Sequence, residues 1–236
     1  EYYRDESPEA AVGGTEAVLD HIAALGCDRV EGVVTPRFIP ACTDAALAGL
    51  GVLAKERGAR IQTHCAESDW EAGHVAARMG MSDAAALDRF GLVTDRAVLA
   101  HAPFLSDADM ALIAERRAAI AHCPLSNAYF AGAVFPLRAA MAKGLRVGLG
   151  TDISGGPSAA MLSAQRMAVA ASRMLESGTD PALPPDERGR PGSAIDWRCA
   201  FHLATAGGAA ALDLPVGLFA PGRRLDAIAV QAPGVE

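Results

Sequence analysis

An α/β fold built on a parallel sheet is the class this sequence predicts, and three observations carry that prediction. One unit recurs along the chain: a short apolar run, a loop with a polar residue, then an amphipathic stretch. Capping signals of the S-x-x-E type open several of the amphipathic stretches, as expected for helices. The chain has 236 residues and a hydrophobic fraction of 51%, enough for one large core and too apolar for disorder.

The first unit is an apolar run over residues 30–36 (VEGVVTP), followed by an alanine- and leucine-rich helix over about 43–57. Residues 59–65 form the second strand. They lead into a helix that Ser68 caps, with Glu71 completing the box. The third strand, 97–101 (AVLAH), gives way to SDADMALIAERR, where Ser106 caps in the same manner. Residues 118–123 (AAIAHC) precede a helix over 135–143, and 146–150 precede a long helix over 158–176. Five strand-then-helix units in series mean parallel strands joined by crossover helices. The stretch 178–192 is rich in Pro, Gly and charge and reads as a loop. After it, 194–212 reads as a last helical segment, and the tail 217–230 alternates and turns like a strand pair.

Charge and cysteine usage narrow the function classes. A net charge of -7 and no basic stripe argue against nucleic acid as a partner. A small molecule is the natural ligand. Five cysteines stand singly in apolar segments with no Cys-x-x-Cys pair, which points to a reducing cytoplasm. No apolar run reaches membrane-spanning length, and EYYRDESPEA has no signal-peptide pattern. The chain begins without a Met, so a fragment of a longer protein is expected.

Polar groups gather at the strand ends. His64 ends the second strand, His101 the third, His122 the fourth, and Asp152 follows the fifth in GLGTD. In a parallel barrel the carboxyl ends of strands face one mouth, where the site is built. A lone strand-end histidine is usually a packing residue, and an Asp after Gly-Thr is usually a turn or a cap. Three units repeating the placement outweigh those readings together. His64, His101 and Asp152 are ligand types for a divalent ion such as zinc. Glu67, three residues past His64, is placed to carry a proton rather than to ligate. Its alternative, support of the next helix's N-terminus, is already served by Ser68, Asp69 and Glu71. His21 and His74 read as helix-surface residues, and His202 as a helix-packing one.

These stretches resemble the amidohydrolase superfamily, and within it the guanine deaminase family. The likeness lies in VTPRF, IQTHCAESDWE, LAHAPFLS, IAHCPLSN, GLGTDISGGPS, LATAGGAAAL and GLFAPGRRLDAIAV, which together run through nearly the whole chain. The resemblance implies a (β/α)8 TIM-like barrel of the amidohydrolase type. Strands four to eight would be present, with residues 1–212 as an incomplete barrel and 213–236 as strands of a small β domain. It implies one divalent metal, zinc with iron as the alternative, held by His64, His101 and Asp152. Glu67 and Asp152 would be catalytic. Arg37 would hydrogen-bond a purine carbonyl, with Phe38 beside the ring.

The implied reaction is metal-dependent hydrolytic deamination of guanine to xanthine and ammonia. The partner is then a small-molecule purine, with no nucleic acid and no membrane, and a homodimer is expected for the complete protein. One departure stands out: the superfamily's His-x-His pair on the first barrel strand does not occur in this chain. A segment carrying it is expected upstream of Glu1. Two rival readings remain open, a related hydrolase acting on another purine, pterin or triazine, and a non-catalytic scaffold on the same fold.

Overall fold

In the computed structural model, which describes residues 4–229 and 231, five short strands make one parallel sheet. They are β1 (Val33–Val34), β2 (Arg60–Cys65), β3 (Ala97–His101), β4 (Ala119–His122) and β5 (Arg146–Leu149), in the spatial order β1-β2-β3-β4-β5. Each strand pairs with the one before it in sequence, so every connection is a crossover, as the recurring unit predicts. Register sets the functional edge. Cys65 lies level with His101 across the β2–β3 ladder, and His122 lies level with Leu149 across β4–β5. The carboxyl ends of the strands therefore finish near one rim.

Helices follow from local capping and from what they cover. Helix α1 (Pro8–Ala24) opens on Ser7, whose hydroxyl accepts from the Ala10 amide, with Pro8 in the first turn. This helix has no buried residue, and the sequence reading places only His21 on a helix surface without delimiting it; Val12 and Leu19 pack, partly buried, against the core. It is tied to α2 (Asp44–Arg57) by Arg57, which bonds Glu16 at 2.6 Å and Asp20 at 2.8 Å. Thr43 caps α2, and Leu47, Leu50 and Leu53 bury its inner face. Helices α3 (Asp69–Met79) and α4 (Asp83–Arg89) lie between β2 and β3; α4 was also unforeseen, although Ser82 caps it. After β3 comes α5 (Asp107–Arg116), whose capping box between Ser106 and Asp109 is complete.

Beyond β4 the chain forms one turn of helix, α6 (Pro124–Ser126), a π-helical turn (Asn127–Ala131), and α7 (Leu137–Ala142). Past β5 lie α8 (Met161–Ser177), α9 (Trp197–Ala204) and α10 (Ala206–Leu212). Gly148 of β5 lets α10 approach closely: a Cβ there would lie 2.9 Å from the Gly208 Cα. No helix among the described residues is long and apolar enough to cross a membrane.

Several expectations are corrected. The first strand is only two residues long, since Thr35 to Phe38 leave the ladder and their groups serve the rim instead. The segment 194–212 is two helices, broken at Thr205 with φ -125° and ψ -97°. His202 is exposed rather than packed. At Ser68 the expected box is half formed. Ser68 accepts from the Glu71 amide, but the Glu71 carboxylate reaches past it to the Glu67 amide at 2.7 Å. Among the described residues the tail 217–229 contains no strand. No neighbouring strand offers it a ladder, and Leu225 and Ile228 stand exposed. Val230 of that tail lies outside the described residues.

Candidate active site

On β2 the side chains of Ile61, Thr63 and Cys65 are buried, while Gln62 and His64 point to the other face. His64 thus projects from the less buried face of the sheet at its carboxyl end. Its Nδ1 sits 2.6 Å from the Arg37 carbonyl oxygen, which also accepts from the His64 amide at 3.1 Å. A carbonyl only accepts, so Nδ1 carries the proton and Nε2 keeps a free lone pair.

His101 arrives by a different device. Strand alternation is broken at this last residue of β3, which has φ 72°, with Ala102 following at φ 59°. Its ring stacks on that of His64 at 5.2 Å between centroids. Nδ1 of His101 lies 3.0 Å from Asn127 Oδ1, and Nε2 lies 3.7 Å from Glu67 Oε1. Burial lowers the His101 pKa, partly opposed by the Glu67 carboxylate. The neutral ring, with Nδ1–H donated to Asn127, leaves Nε2 as a ligand atom.

Glu67 completes the cluster. Ala66, just ahead of it, is left-handed at φ 48° and swings the chain off the strand end. Ligand atoms of His64, Glu67 and His101 all lie within 4.8 Å of one another. Two imidazoles whose outer nitrogens are tied to carbonyl-type oxygens, with bare inner nitrogens beside a carboxylate, are a fitting donor set for a divalent ion of zinc's kind.

Asp152 stands just outside that group. It too is left-handed, at φ 52°, and it accepts a hydrogen bond of 2.6 Å from the buried Ser126 hydroxyl. Its charge bears on His101 and, after burial itself, helps push the Cys123 thiol up to about 12. His122, at the end of β4, is buried with no partner for Nδ1 among the described residues, and burial drives its pKa down to about 3. Such an orphaned polar atom at the rim suits a site built around a ligand.

Arg37 and Phe38 lie on the loop after β1. The Arg37 side chain is exposed, while its backbone orients His64. The Phe38 ring is 6.0 Å from that of His64 and 6.4 Å from that of Trp70, which stacks on His74 at 5.4 Å. So His64, Glu67 and His101 are brought together, with Phe38 and Asp152 beside them. Sequence reasoning missed Asn127, Ser126 and Trp70. All three stand within the quoted motifs IAHCPLSN and IQTHCAESDWE, so the signal was present without a role attached. Two open clefts lie at the opposite, amino-terminal ends of the strands, around Gly58, Ala59 and Arg96. Neither is lined by His64, His101 or His122.

Comparison with known proteins is consistent with this geometry. The sequence model of the amidohydrolase family matches residues 5–235. A probable guanine deaminase of Schizosaccharomyces pombe is 34% identical over 236 residues, covering 98% of this chain and 43% of that protein. The solved structure of E. coli guanine deaminase superposes with a TM-score of 0.80 at 27% identity, over 92% of this chain and 48% of that one. A guanine deaminase from C. acetobutylicum with bound guanine gives 0.80 at 26% identity, over 94% of this chain and 51% of that one. The chain thus spans about half the length of the relatives it matches.

Proposed function

Because the chain belongs to the amidohydrolase family, its five parallel strands being part of a (β/α)8 barrel, we propose that its parent protein hydrolyses guanine to xanthine and ammonia. The observation that carries this reading is the paired tautomer lock on His64 and His101. Each Nδ1 is held by an oxygen, the His101 Nε2 lies 3.7 Å from the Glu67 carboxylate, and ligand atoms of all three residues lie within 4.8 Å of one another.

His64, His101 and Asp152 would hold one divalent ion, zinc by the softness of the imidazole donors. When bound, such an ion lowers the pKa of a water and polarises the reacting centre. Glu67 takes one proton from the attacking water and delivers it to the purine ring nitrogen as the water oxygen bonds to the amidine carbon. Asp152, steadied by Ser126, takes the second proton from that oxygen and passes it to the amine, so that the carbon-to-amine bond breaks, ammonia leaves and the carbonyl forms. The Arg37 guanidinium hydrogen-bonds the purine carbonyl, and Phe38 lies along the heterocycle. The setting is the cytoplasm, where the free cysteines stay reduced.

The test is guanine hydrolysis by the full-length protein together with elemental analysis. His64→Ala is expected to lose metal and activity together. Glu67→Gln keeps metal and fold but loses about a hundred- to ten-thousand-fold in kcat. Arg37→Ala mainly raises KM, by about ten- to a hundredfold for one charge-assisted hydrogen bond. Near-normal turnover in Glu67→Gln would remove the proton-carrying role, and full metal occupancy in His64→Ala would remove the ligand assignment.

A further inference from the structure

Behind the rim lies a pair of acids that the reaction above does not use. Glu71 and Asp83, 1% and 2% exposed, come from the first turns of α3 and α4. Each carboxyl group acts on the other electrostatically. Glu71 Oε1 and both Asp83 oxygens have no donor among the described residues. Two like charges buried together disfavour the doubly ionised state. Burial and the Asp83 charge raise Glu71 to about 8, and burial raises Asp83 as well. The other titratable groups facing the pair are Glu67, Cys65 of β2 and Asp109 of α5.

Glu71 touches the turn that aims Glu67. Its Oε2 accepts from the Glu67 amide at 2.7 Å, just after Ala66, the left-handed residue of that turn. We propose that the buried Glu71 carboxyl group is a positioning element for Glu67, fixing the Glu67 backbone so that the Glu67 carboxylate rests beside His64 and His101. An ordinary capping carboxylate would bond the amide of Ser68, one residue later, and would be solvated. Here the bond is displaced onto the functional residue and taken out of water. Glu71 holds the turn through its bond to the Glu67 amide.

This inference rests on the proposed hydrolysis for its kinetic readout, so a second readout is independent of activity. In the full-length protein, Glu71→Ala is expected to lower kcat by about a hundredfold, the loss expected for a misplaced catalytic group, with metal content and KM unchanged. Glu71→Gln, whose amide oxygen still accepts from Glu67, recovers most of that loss. The Glu67 amide proton, followed by NMR, should lie downfield in the native protein and in Glu71→Gln, and move upfield in Glu71→Ala. Should Glu71→Ala not fold, Glu71→Leu at similar volume serves in its place. The proposal is overturned if the Glu67 amide shift ignores the loss of the carboxyl group, or if Glu71→Gln is as impaired as Glu71→Ala. A native protein inactive on guanine would sink the substrate assignment, and the amide shift would still decide the positioning role.

Discussion

Asn127 shows how a single side chain outside the sheet sets the chemistry of a strand-end histidine. It starts the π-helical turn after α6, is buried, and presents Oδ1 to the His101 Nδ1 at 3.0 Å while its amide nitrogen faces the His101 carbonyl at 3.5 Å. That pair of contacts fixes both ring orientation and tautomer. Removing it frees His101 to turn or to protonate the wrong nitrogen. Asn127→Ala is expected to weaken metal binding by about 10- to 100-fold, measured by competition with a chelator. Unchanged affinity would mean that ring stacking on His64 alone holds His101. Arg37 shows the converse at the same scale, since its main-chain oxygen locks His64 whatever side chain stands there.

Among the elements, the α3 and α4 N-termini carry the clearest energetic signature. Glu71 has a folded pKa of about 8, raised by burial above its ordinary value of 4.5. A raised carboxyl pKa means the folded state holds a proton that the unfolded chain has already lost. Stability from this group is therefore fully present below about pH 4.5 and is lost as pH rises to about 8. The denaturation midpoint should fall across that window and level off above it. Glu71→Gln, which cannot titrate, should flatten the slope; an equal slope in both proteins would show that other groups set it.

For the whole molecule the governing fact is an open sheet. β1 pairs only with β2, and β5 only with β4, so both edges of the sheet are free of strand partners among the described residues. Phe219, Leu225 and Ile228 add apolar surface, each more than four-fifths exposed. Open edges and exposed apolar groups invite self-association. Residues 1–236 expressed alone should elute as aggregates and show little guanine hydrolysis. A monodisperse, active preparation would contradict this.

The periodicity of apolar runs, the caps at Ser68 and Ser106, and the Pro- and Gly-rich loop at 178–192 made the parallel α/β class legible from sequence alone. These signals are local: alternation, capping and turn chemistry act within a few residues. The same holds for which polar residues stand at strand ends, and so for His64, Glu67, His101 and Asp152 as candidates. Helices α1 and α4 were not delimited because their alanine-rich patterns mark no strong face. The tail read as strands because alternation alone does not reveal whether a partner strand is adjacent. Only tertiary structure decided that His101 leaves its strand alternation through a left-handed backbone. It alone tied two imidazoles to Arg37 and Asn127, and turned Glu71 from a cap toward the Glu67 amide. Those choices depend on groups 26 or 27 residues apart in the chain and on how far each carboxyl is removed from water, quantities that no local pattern encodes.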